Sequence, residues 1–289
     1  MFRKIAIAAT LSLSLLSLPA KAATEYLTPF PAHHVAGNIY FVGSKGQANY
    51  LITTSQGNIL VNAGLEANVP MIKDSIAKLG FKYSDTKILV ISHAHFDHDA
   101  GAARIIKETG AKYEVMDSDV GVVESGGKTD FHYWDKDPEN IYPPAKVDRV
   151  LHDGDTVSLG DTVLTAHKTP GHTKGCTTWT TSVKDGGKTL NVVIVGSPNV
   201  NPGYVLVGNK KYPGIAQDYE KTFQVLKALP VDVFLGAHGD YYGMPAKYAK
   251  LKAGGANPFI DPSGYKAYIA DREAAFRKEL ARQQAGGKL

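Results

Sequence analysis

A cluster of histidine and aspartate residues at the end of an apolar segment constrains the fold of this chain most strongly. Residues 87–99 read KILVISHAHFDHD. An apolar run rich in β-branched residues, followed by polar ones, predicts a buried strand that ends in a loop. Side chains two positions apart in a strand point to the same side, so we expect His93 and His95 to face one point. A sharp turn after them would let Asp97 and His98 face a second point close by.

The residue types in this cluster indicate metal binding. Imidazole and carboxylate groups are ligands that zinc accepts. Their spacing predicts two metal ions side by side, each held by one pair of these ligands. Two such ions can generate hydroxide at neutral pH and polarise a carbonyl group. The alternative is a histidine-rich surface loop, but three histidines around an aspartate at a strand end are rarely incidental.

The N-terminal residues are predicted to be a secretory signal peptide. Arg3 and Lys4 precede an apolar run, and residues 20–22 read AKA, a small-residue cleavage site. The apolar run is shorter than the roughly 20 residues that a membrane span needs, which argues against the alternative of an uncleaved anchor. We therefore expect residues 1–22 to be removed and residues 23–289 to form one domain in the periplasm, without a membrane span.

Charge and cysteine content exclude several classes of function. The formal net charge of the whole chain is +4, and it falls to +1 when the three basic residues of the signal peptide leave. Without a basic block or stripe, nucleic acid is not an expected partner. Cys176 is the single cysteine, so an internal disulfide and a site with two thiolates are both excluded. Stability must then come from packing and from bound metal.

Hydrophobic periodicity predicts strands interrupted by single helices in both halves of the chain, which suggests two sheets face to face with helices outside. Residues 125–145 have neither period and are rich in glycine, aspartate, proline and aromatic residues, so we expect a long loop. The predicted strands are 38–43, 49–54, 57–62, 87–91, 112–116, two short ones within 156–165, 177–183, 190–195 and 231–235. The predicted helices are 69–79, 100–109, 219–229 and 263–284.

Two further histidines lie at predicted strand ends. His172 belongs to the turn TPGHTKGC at residues 169–176, and His238 follows the last predicted strand in the sequence LGAH. Strand ends on one edge of packed sheets can converge. His167, within a strand-like segment close to His172, is assigned a packing or hydrogen-bonding role. The other four histidines are predicted to lie in loops without a companion ligand, in structural or solvent-exposed roles: His33, His34, His132 and His152.

Taken together, these motifs resemble the metallo-β-lactamase superfamily, and within it the subclass B3 enzymes. The shared motifs are HxHxDH at residues 93–98, TPGHTxG at 169–175 and GAH at 236–238, and residues 196–223 are similar to the B3 pattern. The resemblance extends over about residues 38–238. It implies an αββα sandwich in a single domain, with two packed mixed β-sheets and helices on the outer faces.

The resemblance also implies a cofactor of two zinc ions. General hydrolases of this fold carry a bridging aspartate where this chain has Ser197, and B1 enzymes carry a cysteine ligand near there, whereas Cys176 lies in the histidine turn. Both differences favour subclass B3. The implied ligands of the first zinc are His93, His95 and His172. The implied ligands of the second zinc are Asp97, His98 and His238.

The activity that the resemblance implies is hydrolysis of the β-lactam amide of penicillins, cephalosporins and carbapenems, which would confer antibiotic resistance. A metal-bound hydroxide would attack the carbonyl carbon, with Asp97 as the catalytic residue that orients it. The second zinc would stabilise the leaving nitrogen. Ser197 and Asn201 are expected to bind the substrate carboxylate, although Ser197 could instead cap a strand end.

Other assignments remain open. The same fold supports many chemistries, so a periplasmic dizinc lactonase or esterase is the alternative enzyme. An exported zinc-binding protein fits less well, because three-histidine ligation leaves a zinc open to substrate. We expect a monomer that acts on small molecules. Four aromatic residues of the long loop could line the cleft or pack the loop onto its own domain: Phe131, Tyr133, Trp134 and Tyr142.

Overall fold

Seven strands form the first of two β-sheets in the computed structural model, which describes residues 20–135 and 140–287. The first four strands pair antiparallel, and the last four pair parallel, with the fourth common to both sets. The first sheet is therefore mixed. In spatial order, its strands are β1 (His33–Ala36), β2 (Ile39–Phe41), β3 (Tyr50–Thr54), β4 (Gly57–Val61), β5 (Thr86–Val90), β6 (Lys112–Met116) and β7 (Arg149–Leu151).

The second sheet has five strands and is also mixed. Its strands are β8 (Thr156–Leu159), β9 (Thr162–Lys168), β10 (Thr177–Asp185), β11 (Lys188–Val195) and β12 (Val233–Gly236). Their spatial order is β12-β11-β10-β9-β8. Strands β11 and β12 pair parallel, and the other neighbours pair antiparallel. The parallel pair requires a crossover, which the chain between residues 196 and 232 supplies.

Helices make up the remaining regular structure. Within residues 20–135 and 140–287, none of them is long and apolar enough to cross a membrane. The signal peptide predicted at residues 1–22 lies mostly outside the described residues. The α-helices are α1 (Ala20–Leu27), α2 (Val69–Lys78), α3 (Phe96–Asp99), α4 (Ala102–Thr109), α5 (Val120–Glu124), α6 (Ile215–Ala228), α7 (Met244–Ala253) and α8 (Pro262–Gln284).

Alternating side chains of the first sheet contact different partners. On β4 and β5, Ile59 and Val90 point into a core shared with Trp179 of the second sheet. Leu60 and Leu89 point the other way, into a second core with helices α2 and α4. Residues of α6 and α8 pack into the first core, against the second sheet. Burial of each such aliphatic side chain contributes about 1.5–3 kcal/mol to the free energy of folding, so packing on both faces of the first sheet stabilises the fold. The predicted αββα sandwich is confirmed.

Some elements differ from the sequence-based expectation. Residues 33–36 form β1 rather than a loop, and His33 is buried with its ring stacked on those of Phe41 and Phe259. A four-residue strand that contains two histidines has too weak an apolar pattern to be found from sequence. The predicted helix at 100–109 corresponds to α4, but a separate short helix that was not predicted, α3, precedes it and contains part of the histidine cluster.

Polar contacts join the ends of strands from both sheets at one edge. The backbone N–H of Thr177, at the start of β10, donates to the carbonyl oxygen of Ser92 at 2.7 Å. The Tyr50 hydroxyl on β3 donates to the carbonyl oxygen of Gly236 at the end of β12 at 2.8 Å. The turn at residues 169–176 between β9 and β10 reaches the same edge. The three predicted motifs therefore meet there.

Candidate metal centre

The first histidine motif follows β5 and is held by Asn62. The Asn62 side-chain oxygen accepts a 2.7 Å hydrogen bond from the backbone N–H of Ser92, and its amide donates to the carbonyl oxygen of Ala48. Asn62 has a φ of 69°, a left-handed conformation that asparagine tolerates better than most residues. His95 is still extended, and the chain turns into α3 directly after it. This turn separates the directions in which the ligands of the motif point.

Three buried histidines form one group of donors. One ring nitrogen from each of His93, His95 and His172 lies within 4.8 Å of the others. Their ring centroids are 4.6–4.8 Å apart, and none of the three residues is more than 6% exposed. The Nδ1 of His93 lies 3.0 Å from the hydroxyl of Ser92, which orients the ring so that Nε2 is left for another partner. These are the residues that the sequence predicted for one metal site.

A carboxylate and two histidines form a second group beside the first. The Nε2 atoms of His98 and His238 are 3.0 Å apart. The Oδ2 atom of Asp97 lies 3.2 Å from the first of these nitrogens and 3.5 Å from the second. His93 also forms a compact group with Asp97 and His98, so the two groups adjoin. All six predicted ligands therefore surround one small region.

Backbone carbonyls determine the tautomers of two of these histidines. The Nδ1 of His172 is 2.8 Å from the carbonyl oxygen of Asn199, and the Nδ1 of His238 is 3.0 Å from that of Gly46. A carbonyl oxygen only accepts, so Nδ1 carries the proton in both rings. In the neutral rings, Nε2 then presents a lone pair to the centre, as metal-binding histidines require.

Burial sets the charge of these groups. It lowers the pKa of His95 to about 3 and lowers the pKa values of His93, His172 and His238, with repulsion between neighbouring imidazoles as a further cause. Burial alone would raise the pKa of Asp97, but the nearby imidazoles hold it below its usual range. At neutral pH these four imidazoles are thus neutral, and Asp97 is an ionised carboxylate. Metal ions bind these protonation states.

The donors fit a metal cofactor. A tetrahedral metal ion with ligands at about 2.1 Å separates them by about 3.4 Å. The three distances among Asp97, His98 and His238 are 3.0, 3.2 and 3.5 Å. One buried nitrogen of the site, Nε2 of His95, has no hydrogen-bond partner in the described part of the chain. Buried polar atoms without partners are unusual in a native protein and suggest that a ligand completes the site.

Two acidic residues near the site were missed by the sequence analysis. Asp130 accepts backbone hydrogen bonds from His132 and Tyr133 through Oδ1, and its Oδ2 lies 3.9 Å from Nε2 of His95. Asp119 contacts the backbone beside two of the motifs. The available signal for Asp130 was its residue type, because an aspartate often accepts hydrogen bonds from backbone N–H groups two or three residues ahead. Sequence spacing carried no signal for Asp119.

The two predicted substrate contacts are each paired with a tyrosine. Ser197 is 1% exposed, and its hydroxyl lies 3.1 Å from that of Tyr241, whose ring is 5.1 Å from His238. The half-buried Asn201 donates its amide to the Tyr133 hydroxyl at 2.7 Å, and the Tyr133 ring is 5.1 Å from His95. One pair therefore lies beside each group of donors. Both side chains already have hydrogen-bond partners within the protein.

The aromatic residues of the long loop have different roles. Tyr133 packs its ring against His95 of the three-histidine group. Phe131 is buried, with its ring 5.1 Å from that of Tyr204. Tyr142 is also buried, and its hydroxyl donates to the carbonyl oxygen beside His93 and His95, at Ala94. Trp134 is 46% exposed. The loop thus both packs onto the domain and contributes one ring to the site.

Two residues close to the site in sequence stay outside it. The Nε2 of His167 on β9 lies 2.8 Å from the hydroxyl of Thr180, which agrees with a hydrogen-bonding role. Cys176 is fully buried, and burial raises the pKa of its thiol to about 12. Such a thiol is not ionised at neutral pH, and its Sγ atom contacts the backbone of Ser197 rather than either group of donors.

Curated relatives with detectable sequence similarity are hydrolases. A metal-dependent hydrolase of Anaeromyxobacter dehalogenans is 28% identical over 222 residues, which cover 74% of this chain and 69% of the relative. An acyl-coenzyme A thioesterase of Gallus gallus is 26% identical over 155 residues. That match spans about half of each protein, 47% of this chain and 53% of the thioesterase.

Solved structures show higher similarity. The FEZ-1 metallo-β-lactamase from Legionella gormanii is 56% identical with a TM-score of 0.88, covering 89% of this chain and 98% of that one. The subclass B3 metallo-β-lactamase BJP-1 of Bradyrhizobium japonicum is 43% identical with a TM-score of 0.86, covering 92% and 100%. The sequence profile of the metallo-β-lactamase superfamily matches residues 42–238. The chain therefore belongs to the metallo-β-lactamase superfamily, and within it resembles the subclass B3 enzymes.

Proposed function

We propose that this metal-dependent hydrolase binds two zinc ions and cleaves the amide bond of β-lactam rings. The observation that carries the proposal is the convergence of six donors, five of them buried and the sixth, His238, partly exposed, in two adjoining groups. One group has three imidazoles, and the other has two imidazoles and the carboxylate of Asp97. A relative from an Alaskan soil metagenome, 35% identical over 93% of this chain, is described as a class B3 di-zinc metallo-β-lactamase.

The residues of the site have separate roles in this scheme. Zinc, when bound, would activate water at neutral pH and polarise the lactam carbonyl. The carboxylate of Asp97 is held ionised by neighbouring imidazoles, so it can accept a hydrogen bond from the attacking water and orient it. The carbonyl oxygens of Asn199 and Gly46 hold the rings of His172 and His238 in the required tautomer.

The substrate carboxylate is proposed to bind between the two side-chain pairs that flank the donors. The Asn201 amide would give up its hydrogen bond to the Tyr133 hydroxyl and donate to the substrate carboxylate instead. In the same way, the Ser197 hydroxyl would give up its hydrogen bond with the Tyr241 hydroxyl. Each exchange replaces one hydrogen bond with another, so its net free energy is small. Asn201 is half-buried and Ser197 is buried, which favours Asn201 as the larger contributor.

Export to the periplasm is part of the proposal. The predicted cleavage site lies within α1. The carbonyl oxygens of Glu25 and Thr28, downstream of that site, accept backbone hydrogen bonds from Gly46 and Lys45. These contacts would remain after cleavage behind residue 22. Mass spectrometry of the periplasmic protein should detect a chain that begins at Ala23, and an intact chain held in the inner membrane would contradict the proposal.

An assay of the purified protein against a substrate panel tests the function. The panel contains a penicillin, a cephalosporin, a carbapenem, an acyl lactone and an acyl-coenzyme A thioester, each with and without a chelator. We expect hydrolysis of β-lactams that disappears with the chelator and returns with zinc. Expression in a susceptible bacterium should then raise resistance to the hydrolysed drugs. Faster cleavage of the lactone or the thioester than of every β-lactam would reject the proposed substrate.

A further inference from the structure

A buried aspartate outside the donor groups lies between two of the metal-binding motifs. Asp119 ends a short turn at residues 117–119, between β6 and α5. Its side chain is 1% exposed. It faces the loop that contains His93 and His95 from one side and the turn that contains His172 from the other.

The carboxylate of Asp119 accepts three hydrogen bonds from these two segments. Its Oδ2 atom accepts from the backbone N–H of Ala94 at 2.9 Å and from the hydroxyl of Thr173 at 2.8 Å. Its Oδ1 atom accepts from the backbone N–H of Gly175 at 2.8 Å. Ala94 lies between two ligands of the three-histidine group, and Thr173 follows the third. One carboxylate thus joins both backbone segments that present this group.

The turn is shaped to approach Asp119 closely. A Cβ atom at Gly175 would lie 2.6 Å from the backbone nitrogen of Asp119 and 2.7 Å from its carboxylate carbon. Side chains do not tolerate such distances, so only glycine permits this contact. Burial raises the pKa of Asp119 to about 6, and its three donors favour the ionised form. At neutral pH the group is therefore a carboxylate, which makes stronger hydrogen bonds than a neutral acceptor does.

We propose that Asp119 is a positioning residue that holds the two segments in the register at which His93, His95 and His172 can bind one metal ion. This rests on the proposed assignment of those residues as ligands. Its hydrogen bonds flank the three-histidine group and reach none of Asp97, His98 and His238. Removing the carboxylate should therefore weaken metal binding at the first group more than at the second.

Three substitutions remove different numbers of hydrogen bonds. Asp119→Ala removes all three. Asp119→Asn keeps the shape but turns an amide N–H₂ toward at least one donor. Thr173→Val removes one bond and keeps the side-chain volume. Asp117→Asn is the matched control, because Asp117 lies in the same turn but pairs with Lys168 and Ser118 near the surface.

The test measures metal affinity at each group separately. Each substitution is placed in a His238→Ala background, which leaves the three-histidine group, and in a His172→Ala background, which leaves the other. Metal-free proteins are titrated with cobalt(II) against a competing chelator, and the visible absorption spectrum reports ligand geometry. We expect Asp119→Ala to weaken binding by the three-histidine group about 10- to 100-fold, as loss of an outer partner does elsewhere, and to alter its spectrum. Asp119→Asn should weaken this binding less than Asp119→Ala does, and Thr173→Val should weaken it least.

The outcomes distinguish positioning from general stability and from a wrong ligand assignment. Asp117→Asn should change the cobalt affinity of each group by less than about twofold. The cobalt affinity of the second group, Asp97, His98 and His238, should change by less than about threefold in any of the Asp119 and Thr173 variants. Equal weakening of both groups, together with a lower melting temperature of the metal-free protein, would overturn the positioning role. Unchanged affinities would overturn it as well. Failure of the otherwise unaltered protein to bind cobalt would instead reject the ligand assignment on which the proposed function stands.

Discussion

The candidate metal side of this site, formed by the two groups of donors, and its proposed substrate side, formed by Ser197 and Asn201, differ in how their polar groups are satisfied. On the metal side, the Nε2 atoms of His98 and His238 face each other at 3.0 Å, and Nε2 of His95 lacks a hydrogen-bond partner in the described residues. On the substrate side, Ser197 and Asn201 each already have a tyrosine hydroxyl as a partner. One side is complete only with a ligand, whereas the other is complete without one.

This difference determines how costly a substitution should be. Removing a donor from the metal side leaves other buried groups, and the metal ion itself, without a partner. On the substrate side, binding exchanges one hydrogen bond for another, so each side chain contributes only a small net free energy.

Loss of a histidine from the metal side should have the largest effect. We expect His172→Ala to lower kcat/KM more than about 100-fold, because even the loss of a metal ligand's outer partner costs 10- to 100-fold. The metal content should fall by one equivalent. The matched control is His167→Ala, since His167 lies five residues away but bonds to Thr180. It should change kcat/KM less than about threefold. Similar losses of kcat/KM in both variants would show that the effect at His172 does not come from metal ligation.

Acid should destabilise the metal-free protein through the same imidazoles. The pKa of His95 is about 3 in the folded state and about 6.5 when unfolded, so the unfolded chain binds more protons between these values. The stability contributed by the neutral ring is therefore complete above pH 6.5 and is lost as the pH falls toward 3. We expect His95 alone to lower the free energy of unfolding by about 2 kcal/mol between pH 7.5 and pH 5.

Chemical denaturation at both pH values measures this effect. Zinc-loaded protein should lose at least as much stability over the same interval, because bound metal also keeps the folded ring free of protons while the unfolded chain still takes them up. The variant His95→Gln should show a smaller pH dependence than the unaltered chain when both are metal-free. A pH dependence that is identical in the two would show that His95 is not held neutral.

The larger effect on the substrate side should come from Asn201. We expect Asn201→Ala to raise KM for β-lactams about 2- to 10-fold with little change in kcat, which corresponds to an ordinary hydrogen bond of about 0.5–1.5 kcal/mol. Tyr133→Phe is the informative partner variant, because it frees the Asn201 amide and should leave KM unchanged or lower it. If both variants raised KM equally, the pair would act together as a structural unit.

Ser197 should show the smallest effect. Its hydroxyl is buried against Tyr241, so reaching the substrate requires breaking that bond first. We expect Ser197→Ala to keep both metal ions and to raise KM less than about threefold. Metal analysis and steady-state kinetics measure the two quantities. Loss of a metal ion from this variant would mean that the serine supports the metal side rather than the substrate side.

Sequence reasoning grouped the candidate metal ligands better than it found the residues that support them, because the two sets depend on contacts over different ranges of the sequence. His93, His95, Asp97 and His98 fall within six residues, so their geometry follows locally from a strand end and one turn. His172 and His238 were found because each follows or precedes a strand in a recognisable motif. The fold class followed from the alternation of strands and helices, and the comparisons confirm it.

The supports depend on long-range contacts that no local pattern encodes. Asp119 and Gly175 are 56 positions apart, and Asn201 and Tyr133 are 68 apart. Nothing in the sequence indicated that Asn201 would meet a tyrosine of the long loop. Similarly, His33 looked like a loop residue because its burial depends on the ring of Phe259, which lies more than 200 positions away.

A zinc titration of the metal-free protein, followed by the rate of β-lactam hydrolysis, tests the central claim most directly. The two adjoining donor groups should bind about two equivalents of zinc, and hydrolysis should rise with their occupancy. The same titration with Asp97→Asn should give little hydrolysis at any zinc concentration. Full hydrolysis before zinc is added, or no hydrolysis after two equivalents have bound, would contradict a β-lactamase built on these six residues.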